Sequence, residues 1–365
     1  MKILTIVGAR PQFIKAAPFS EVFRKENQEI LVHTGQHYDS NMSDIFFEEL
    51  NIPKPDYNLY VGSGNHGSQT AAMLAQIEEV MITEKPDGLL VYGDTNSTLA
   101  GALAASKLHV PVFHVEAGLR SFNKKMPEEQ NRILTDHISS LLLCPTETAV
   151  KNLKAEGITS DVLNTGDIMY DVVLRNTELA ESKYKNGQWL NELKIENRNL
   201  SLEKEEIYYL STIHRAENTD NTNKILEILS AFEELDYKVV LPIHPRTRKL
   251  IENLNIQFKN VELINPVGYL MMLYLTKNAR MVITDSGGLQ KEAYFLKTPC
   301  TTLRDQTEWI ETLENGWNIL SPINKNEILN LVSREFDCFN QSQSNHFGDG
   351  NAAQKITNAI LEWRA

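Results

Sequence analysis

Residues 88–95 read Gly-Leu-Leu-Val-Tyr-Gly-Asp-Thr, an apolar run followed directly by a glycine and a carboxylate. A short run of aliphatic residues without polar alternation is typical of a strand buried on both faces of a parallel sheet. A carboxylate beside such a strand is costly unless it has partners. The position of Asp94 therefore predicts a functional turn at the carboxyl end of a buried strand.

The same pattern recurs along the chain. Short β-branched runs predict strands at residues 3–7, 30–34, 88–92, 112–115, 140–143, 161–164, 207–212, 238–243, 261–264, 281–284 and 300–303. Amphipathic stretches between them predict helices, among them 68–84, 98–107, 223–235, 289–296 and a final helix at 352–363. Strands that alternate with helices are typical of parallel sheets with crossover helices, so the predicted fold class is α/β.

Six predicted strands end in polar clusters, which begin at Gly8, Gly93, Glu116, His214, His244 and Asp285. Ligands of open α/β sheets bind outside the carboxyl ends of strands, where loops and helix N-termini converge. Each cluster taken alone is also compatible with an ordinary turn, because turns favour Gly, Asp and Ser. The six together predict a ligand site.

A chain of 365 residues is long for one core and predicts two domains. A stretch rich in charged and amide side chains, roughly 181–206, separates the two sets of strands. We place the domains at 1–172 and 173–351, with 352–365 as a closing helix. If the domains face each other, their strand ends line a central cleft.

Composition narrows the function classes. With 42% apolar and 23% charged residues the chain has the composition of a globular protein, and its net charge of −12 argues against a nucleic-acid partner. No apolar run approaches the ~20 residues that span a membrane. The run Ile3–Val7 soon meets Arg10, which favours a buried strand over a signal peptide. The widely spaced Cys144, Cys300 and Cys338 lack a C-x-x-C pair, which predicts a cytoplasmic protein without a structural zinc site.

Asp285-Ser286-Gly287-Gly288 follows the predicted strand 281–284 and opens a helix that carries Glu292. Glycines let a ligand approach the backbone, and the free N–H groups of a helix N-terminus favour an anion. Ser286 adds a hydroxyl donor, and Glu292 lies within reach of a ribose diol. This set predicts a diphosphate site; the alternative is a simple N-cap by Asp285 or Ser286.

Two basic residues, Arg10 and Lys15, follow the first strand and resemble half of another anion site, although alone they would be interpreted as a solvated pair. Asp94, Glu116 and Glu128 form a set of candidate general acids and bases. For Glu128 the alternative is a surface ion pair with Arg132, because the two are spaced i, i+4.

His214 and Arg215 end the strand 207–212 and would bring an imidazole and a guanidinium to the phosphates. His244 ends the next predicted strand and is a further candidate for substrate binding. The alternative for a lone histidine at such a position is a structural role.

Two motifs predict other chemistry and are not adopted. Residues 62–67 match the dinucleotide motif G-x-G-x-x-G, but the strand before them would be only 58–61. His114-Val115-Glu116 matches the H-x-E of zinc deaminases, but no P-C-x-x-C follows.

The clusters together resemble the non-hydrolysing UDP-N-acetylglucosamine 2-epimerases over essentially the whole chain. The matching segments are 8–15, 93–95, 114–120, 127–132, 214–218, 284–293 and 347–350. The resemblance implies a glycosyltransferase-B-type fold of two Rossmann-like domains, with the final helix crossing back to the first. It also implies epimerisation without metal or NAD, by loss of UDP to a 2-acetamidoglucal and re-addition of UDP after protonation of the opposite face. We also expect a homodimer.

By position, the resemblance assigns acid–base and leaving-group roles to Asp94, Glu116, Glu128 and His214. It assigns contacts with UDP to Arg10, Lys15, Ser286, Gly287, Gly288 and Glu292. Arg132, like Arg215 and His244, is a further candidate for substrate binding. The choice among the three acids stays open.

Departures from the family pattern bear on the substrate. The family's G-T-R-P-E and T-E-R-P-E read G-A-R-P-Q and T-E-W-I-E here, so Gln12 and Trp309 replace a carboxylate and a guanidinium. The chain is similar to the branch acting on UDP-2,3-diacetamido-2,3-dideoxy-glucuronic acid, since losing a carboxylate would suit a substrate that carries one. UDP-N-acetylglucosamine is the alternative substrate. Ser63-Gly64 stands where many members have an Arg-Gln pair for an activating ligand, so activation is not expected.

Three other functions remain open. They are a hydrolysing epimerase that releases UDP, a retaining glycosyltransferase of the same fold, and a sensor of nucleotide sugars without catalysis.

Overall fold

The computed structural model describes residues 1–36, 52–196, 200–243, 245–254, 256–333 and 343–363. The chain divides into two compact units, Met1–Val172 with Asn345–Ala365, and Val173–Ser344. The last segment thus joins the first unit from residue 345 onward, earlier than the predicted 352. Each unit contains a parallel sheet, so the predicted α/β class is confirmed.

The sheet of the first unit has the strand order β3-β2-β1-β4-β5-β6-β7. Its strands are β1 Lys2–Val7, β2 Gln28–His33, β3 Tyr57–Asn58, β4 Gly88–Tyr92, β5 Val112–Val115, β6 Leu141–Cys144 and β7 Val162–Asn164. The helices between them are α1 Arg10–Phe23, α2 His66–Glu84, α3 Asn96–Lys107, α4 Pro127–Ile138 and α5 Glu147–Ala155. β4 is fully buried and β1 is buried except at Lys2, and Leu4, Ile6, Leu89 and Val91 pack in the core under α2 and α3.

Helix α6, Ile168–Lys183, leads into the second unit and is followed by α7, Gln188–Glu196. The remaining helices of this unit are α8 Ala216–Thr219, α9 Thr222–Glu233, α10 Pro245–Asn253, α11 Tyr269–Asn278, α12 Gly287–Phe295 and α13 Lys325–Val332. Its strands are β8 Tyr208–Thr212, β9 Lys238–Pro242, β10 Val261–Ile264, β11 Met281–Thr284, β12 Cys300–Thr302 and β13 Asn318–Leu320. They pair in the order β10-β9-β8-β11-β12-β13.

The stretch 181–206, which the sequence predicts to be irregular, contains the end of α6 and all of α7. Aromatic rings hold this part of the chain to the second unit. The ring of Tyr274 lies 5.5 Å from that of Tyr184 and 6.0 Å from that of Trp189, centroid to centroid. Helical periodicity was missed here because few apolar residues anchor the helix, although Trp189 and Leu193 are buried.

The final helix, α14 Ala352–Glu362, belongs to the first unit and packs on α1. Asp171 holds its first turn, because its two carboxylate oxygens accept the backbone N–H groups of Ala352 at 3.0 Å and Ala353 at 2.8 Å. A carboxylate at a helix N-terminus also interacts favourably with the helix dipole. The return of the chain to its first unit, which the resemblance implies, is confirmed.

Both sheets change their direction of strand addition between two central strands, β1 and β4 in the first unit and β8 and β11 in the second. The loops after such a pair diverge and leave a crevice, which is where open α/β sheets bind ligands. Within the described residues, no helix combines the length and apolar character that spanning a membrane requires.

Candidate active site

Four charged side chains meet at the carboxyl ends of β1, β4 and β5. Lys15 on α1 forms an ion pair with Glu116, and Arg132 Nη2 on α4 lies 2.5 Å from Asp94 Oδ2. Gly93 allows this approach, because a Cβ at this position would lie 3.2 Å from Glu116 Oε2 and 3.9 Å from Lys15 Nζ. The structure therefore brings together Lys15, Asp94, Glu116 and Arg132.

The surroundings raise the pKa of two of these groups, for different reasons. Burial raises the pKa of Asp94 above its usual value, against the opposing charges of Arg132 and Lys15. For Lys15 burial alone would lower the pKa, but the carboxylates of Glu116, Asp94 and Asp167 raise it. A carboxyl group with a raised pKa beside a cation that stays charged is a suitable general acid or base.

Glu116 has a strained backbone, because its φ of +66° lies in a region that residues other than glycine rarely occupy. The neighbouring strands hold it there, since Gly93 N donates to Val115 O at 3.0 Å and Ala117 N donates to Leu143 O at 3.3 Å. Strain of this kind persists where the surroundings over-determine it, and it concentrates at functional sites. Here it directs the Glu116 carboxylate towards Lys15.

A buried ion network supports the two loops. His114 is fully buried, with Nε2 2.8 Å from Gly93 O and Nδ1 2.7 Å from Asp136 Oδ1. Asp136 Oδ2 also accepts from Gly118 N at 3.1 Å and from Arg120 Nη1 at 2.6 Å. A carbonyl and a carboxylate are both hydrogen-bond acceptors, so each ring nitrogen of His114 faces an acceptor. His114 thus joins the loop after β4 to helix α4.

Asp136 balances this network. Burial alone would raise its pKa, but the hydrogen bonds and charges of His114 and Arg120 lower it below its usual value. We expect Asp136→Asn to lower the free energy of unfolding by about 3–5 kcal/mol at pH 7, because the buried side chains of His114 and Arg120 lose the carboxylate that they share. Chemical denaturation measures this loss.

The loss should shrink as the pH falls. A carboxyl group whose pKa is lower in the folded than in the unfolded protein stabilises the fold at any pH above its unfolded pKa. This stabilisation is lost as the pH falls through the pKa of the folded state. Asp161→Asn, an exposed change at the amino end of β7, is the matched control. An Asp136→Asn protein as stable as this control would contradict the assignment.

Gln12 has a structural role that the sequence did not predict. Its Oε1 accepts from Gly8 N at 2.8 Å and Ala9 N at 3.2 Å, and its Nε2 donates to Tyr92 O at 2.8 Å. Nε2 also lies 3.1 Å from Thr95 Oγ1 and 3.0 Å from Thr98 Oγ1. Gln12 therefore fastens the turn after β1 to the turn after β4. The interpretation of Gln12 as a carboxylate lost to suit the substrate does not follow from this geometry.

The predicted ion pair between Glu128 and Arg132 is not formed, since Arg132 bonds Asp94 and Glu129 instead. Glu128 is exposed on the first turn of α4. Its neighbour Glu129 is buried and accepts from Ser121 N, Ser121 Oγ, Phe122 N and Arg132 Nη1. Spacings of three and four both place two residues on one helix face, so the sequence alone could not separate Glu128 from Glu129.

In the second unit Asp285, which follows β11, organises the loop after β8. Its buried carboxylate accepts from His214 N at 3.1 Å, Arg215 N at 3.0 Å and Asn218 Nδ2 at 3.0 Å. His214 Nδ1 lies 3.2 Å from Asp285 Oδ1, while the His214 side chain is 58% exposed. The Asp285 carboxylate therefore orients the exposed imidazole of His214.

Helix α12 begins with a capping serine followed by two glycines. Ser286 is its N-cap, with Oγ accepting from Leu289 N at 3.3 Å, which was the alternative interpretation of this residue; the cap leaves its hydroxyl proton available. Ser286 and Gly287 are half-buried and Gly288 is exposed. The alternative cap, Asp285, serves the β8 loop instead.

Glu292 lies on the second turn of α12, where burial raises its pKa to about 7. Between the usual carboxyl pKa and about 7, the folded chain keeps a proton that the unfolded chain has lost. Stability conferred by this group therefore falls as the pH rises through that window. We expect the stability of Glu292→Gln relative to the unaltered protein to increase from pH 5 to pH 7.5, measured by denaturation at both values. A difference independent of pH would contradict the raised pKa.

The other predicted residues are less constrained. Arg10 is exposed on the first turn of α1, and Arg215 Nη1 lies 3.1 Å from Glu217 Oε1. His244 lies outside the described residues. The glycine-rich stretch 62–67 follows β3 at the edge of its sheet, whereas the dinucleotide loop follows a central strand.

No group of three or more potential metal-binding side chains occurs in the part of the chain that the structure describes. His114, of the H-x-E motif, has both nitrogens in hydrogen bonds, which argues against a role as a zinc ligand.

Comparison with known proteins supports one interpretation of this geometry. The family model for UDP-N-acetylglucosamine 2-epimerase matches residues 21–361. A UDP-N-acetylglucosamine 2-epimerase homolog of Methanococcus maripaludis is 54% identical, with 99% of each chain covered. The UDP-2,3-diacetamido-2,3-dideoxy-D-glucuronate 2-epimerase of Pseudomonas aeruginosa is 48% identical, covering 99% of this chain and 100% of that one. The crystal structure of Methanocaldococcus jannaschii UDP-GlcNAc 2-epimerase with UDP-GlcNAc and UDP is 44% identical, with a TM-score of 0.86 and complete coverage of both chains.

Proposed function

Because the chain belongs to the UDP-N-acetylglucosamine 2-epimerase family and is a UDP-sugar 2-epimerase, we propose that it inverts C2 of a UDP-2-acetamido sugar by eliminating and re-adding UDP. The observation that supports this proposal most directly is that two acids lie together at the ends of β4 and β5. They are Asp94, whose carboxyl pKa is raised, and Glu116, whose backbone is strained.

In the first step a carboxylate takes the C2 proton while the bond between C1 and the UDP oxygen breaks, with its electron pair leaving on UDP. The product is a 2-acetamidoglucal. In the second step UDP adds back to C1 and a proton is delivered to the opposite face of C2. Asp94 and Glu116 are the proposed proton carriers, and Glu128 remains a candidate on the exposed turn of α4. Lys15 and Arg132 keep the acids oriented.

Departing UDP needs donors for its developing charge. The N–H groups at Gly287 and Gly288, the Ser286 hydroxyl and His214 supply these from the second unit, with Arg10 and Arg215 as further diphosphate contacts. Glu292 is assigned to the ribose diol. Such preorganised donors stabilise charge more effectively than water does, because they need not reorient during the reaction.

The proposed substrate is the UDP-2,3-diacetamido uronate. The 48% identity to the Pseudomonas aeruginosa enzyme and the tryptophan at position 309 support it. UDP-N-acetylglucosamine is a second candidate, favoured by the 44% identical solved structure of the Methanocaldococcus jannaschii enzyme. The homodimer also stays a prediction, which sedimentation velocity tests.

Both sugars offered in parallel in D₂O test the reaction and its substrate together. We expect the manno epimer of the uronate with deuterium at C2, because the proton returns from solvent-exchanged carboxyl groups, and slower turnover of UDP-N-acetylglucosamine. NMR of the products measures both. Product without deuterium at C2 rules the mechanism out, and free UDP accumulating in step with product indicates the hydrolysing reaction instead.

Removal of a proton carrier should separate turnover from binding. We expect Asp94→Asn and Glu116→Gln each to lower kcat by roughly 10²–10⁴-fold, the usual contribution of general acid–base catalysis. UDP binding should persist, because its proposed ligands lie mainly in the second unit. Asp161→Asn, which removes an exposed carboxylate at the other end of the sheet, is the control. Full activity in both variants would exclude these roles.

A further inference from the structure

The segment after β12 covers the first turn of α12 with a pair of opposite charges. A Cβ built on Gly287 would lie 2.5 Å from Glu308 Oε1 and 3.6 Å from Arg304 Nη1. Glu308 Oε2 in turn lies 2.9 Å from Arg304 Nη2. A carboxylate oxygen and a guanidinium nitrogen thus both reach the helix end that the proposed function assigns to diphosphate.

Arg304 is bound on one side only. Its side chain is 8% exposed, and its second terminal nitrogen, Nη1, is buried without a hydrogen-bond partner among the described residues. A buried donor left without an acceptor costs about 1–3 kcal/mol, and more for a charged group. Buried polar groups in native proteins normally have partners, so an orphaned one indicates a missing ligand. The free donor lies beside Gly287, where a second anion oxygen would satisfy it.

The Glu308 carboxylate carries the charge of an anionic ligand and lies where its oxygen would bind. Burial alone would raise its pKa, but the charges of Arg304 and Arg215 help to lower it, so the carboxylate is ionised. A negative charge near the first turn of a helix is stabilised by the helix dipole. A side chain at position 287 would therefore displace the Glu308 carboxylate from the first turn of α12.

The backbone of the segment is fastened, so that exchange requires only a side-chain movement. Thr307 Oγ1 donates to Gln290 Oε1 at 2.8 Å and accepts from Trp309 N at 3.1 Å. Gln290 itself lies on α12, and Arg304 N donates to Thr302 O at 2.8 Å. Rotation of the Glu308 side chain would free both Gly287 and Arg304 while the chain on either side stays in place.

We propose that Arg304 is a diphosphate-binding residue, and that Glu308 occupies the site as an internal anion until a phosphate oxygen of the substrate displaces it. The inference rests on the proposed function for the placement of the diphosphate at α12. Displacement favours ligands that carry more than one anionic oxygen, because a single charge merely replaces that of Glu308. It therefore selects a nucleoside diphosphate or its sugar ester over the uncharged nucleoside.

Isothermal titration calorimetry of the full chain with UDP tests the exchange. We expect Glu308→Gln to bind UDP more tightly, on the order of tenfold, because the competing charge is gone. Arg304→Gln should bind UDP about tenfold or more weakly, and Arg304→Lys should recover part of that loss. In the double variant Arg304→Gln with Glu308→Gln, affinity should fall below that of Glu308→Gln alone.

Asp305→Asn is the matched control, since it removes an exposed carboxylate next to Arg304 and should leave UDP affinity unchanged. Uridine, titrated in parallel, should bind all variants equally, and this also shows that each is folded. Weaker or unchanged UDP binding by Glu308→Gln, or equal UDP binding by Arg304→Gln and the unaltered chain, overturns the inference.

The outcomes separate this inference from the proposed function. Tighter UDP binding by Glu308→Gln without any epimerisation by the unaltered chain supports the exchange and refutes the function. Epimerisation without the change in UDP affinity does the reverse. A chain that does not bind UDP refutes both.

Discussion

Taking a carboxylate out of water costs several kcal/mol unless cations or N–H groups replace the lost hydration. The ends of the central strands place several carboxylates in that situation. Asp136 and Asp285 are surrounded by donors, and their pKa values are lowered. At Asp94 and Glu292 burial outweighs the partners, and the pKa values are raised. This difference separates carboxylates that hold the loops from those able to exchange protons or respond to a ligand. A raised pKa alone does not define a site, because the pKa of Asp171 is also raised while its carboxylate caps α14.

Much of the fold could be predicted, because a strand buried on both faces must be a short apolar run. The predicted bounds 88–92, 112–115, 261–264 and 281–284 agree with the observed strands β4, β5, β10 and β11. The edge strands β3, of two residues, and β13, of three residues, were missed. Strand ends also located the charged residues, because the carboxyl ends of parallel strands share one edge of a sheet.

The functions of individual polar side chains could not be predicted in the same way. His114 was included in the H-x-E motif and in the family segment 114–120 without a role of its own, and its partner Asp136 was not considered. The two residues are 22 positions apart and meet only when β5 and α4 pack together. The glutamine at position 12 was interpreted as an adaptation to a negatively charged substrate. Its amide N–H donates to a backbone carbonyl, and a carboxylate at this position could not donate that hydrogen bond. Such roles depend on tertiary neighbours rather than on spacing along the chain.

The same charge rule explains how a chain of net charge −12 can present a site for a diphosphate. An acidic protein cannot rely on its overall field to attract an anion, so it needs local cations and oriented N–H groups. A buried guanidinium beside a helix N-terminus is itself unstable without an anion, just as Asp136 would be without Arg120. Glu308 supplies that anion from within the chain and keeps Arg304 in position. An incoming diphosphate then exchanges one anion for another, rather than having to assemble a cationic site from solvated side chains.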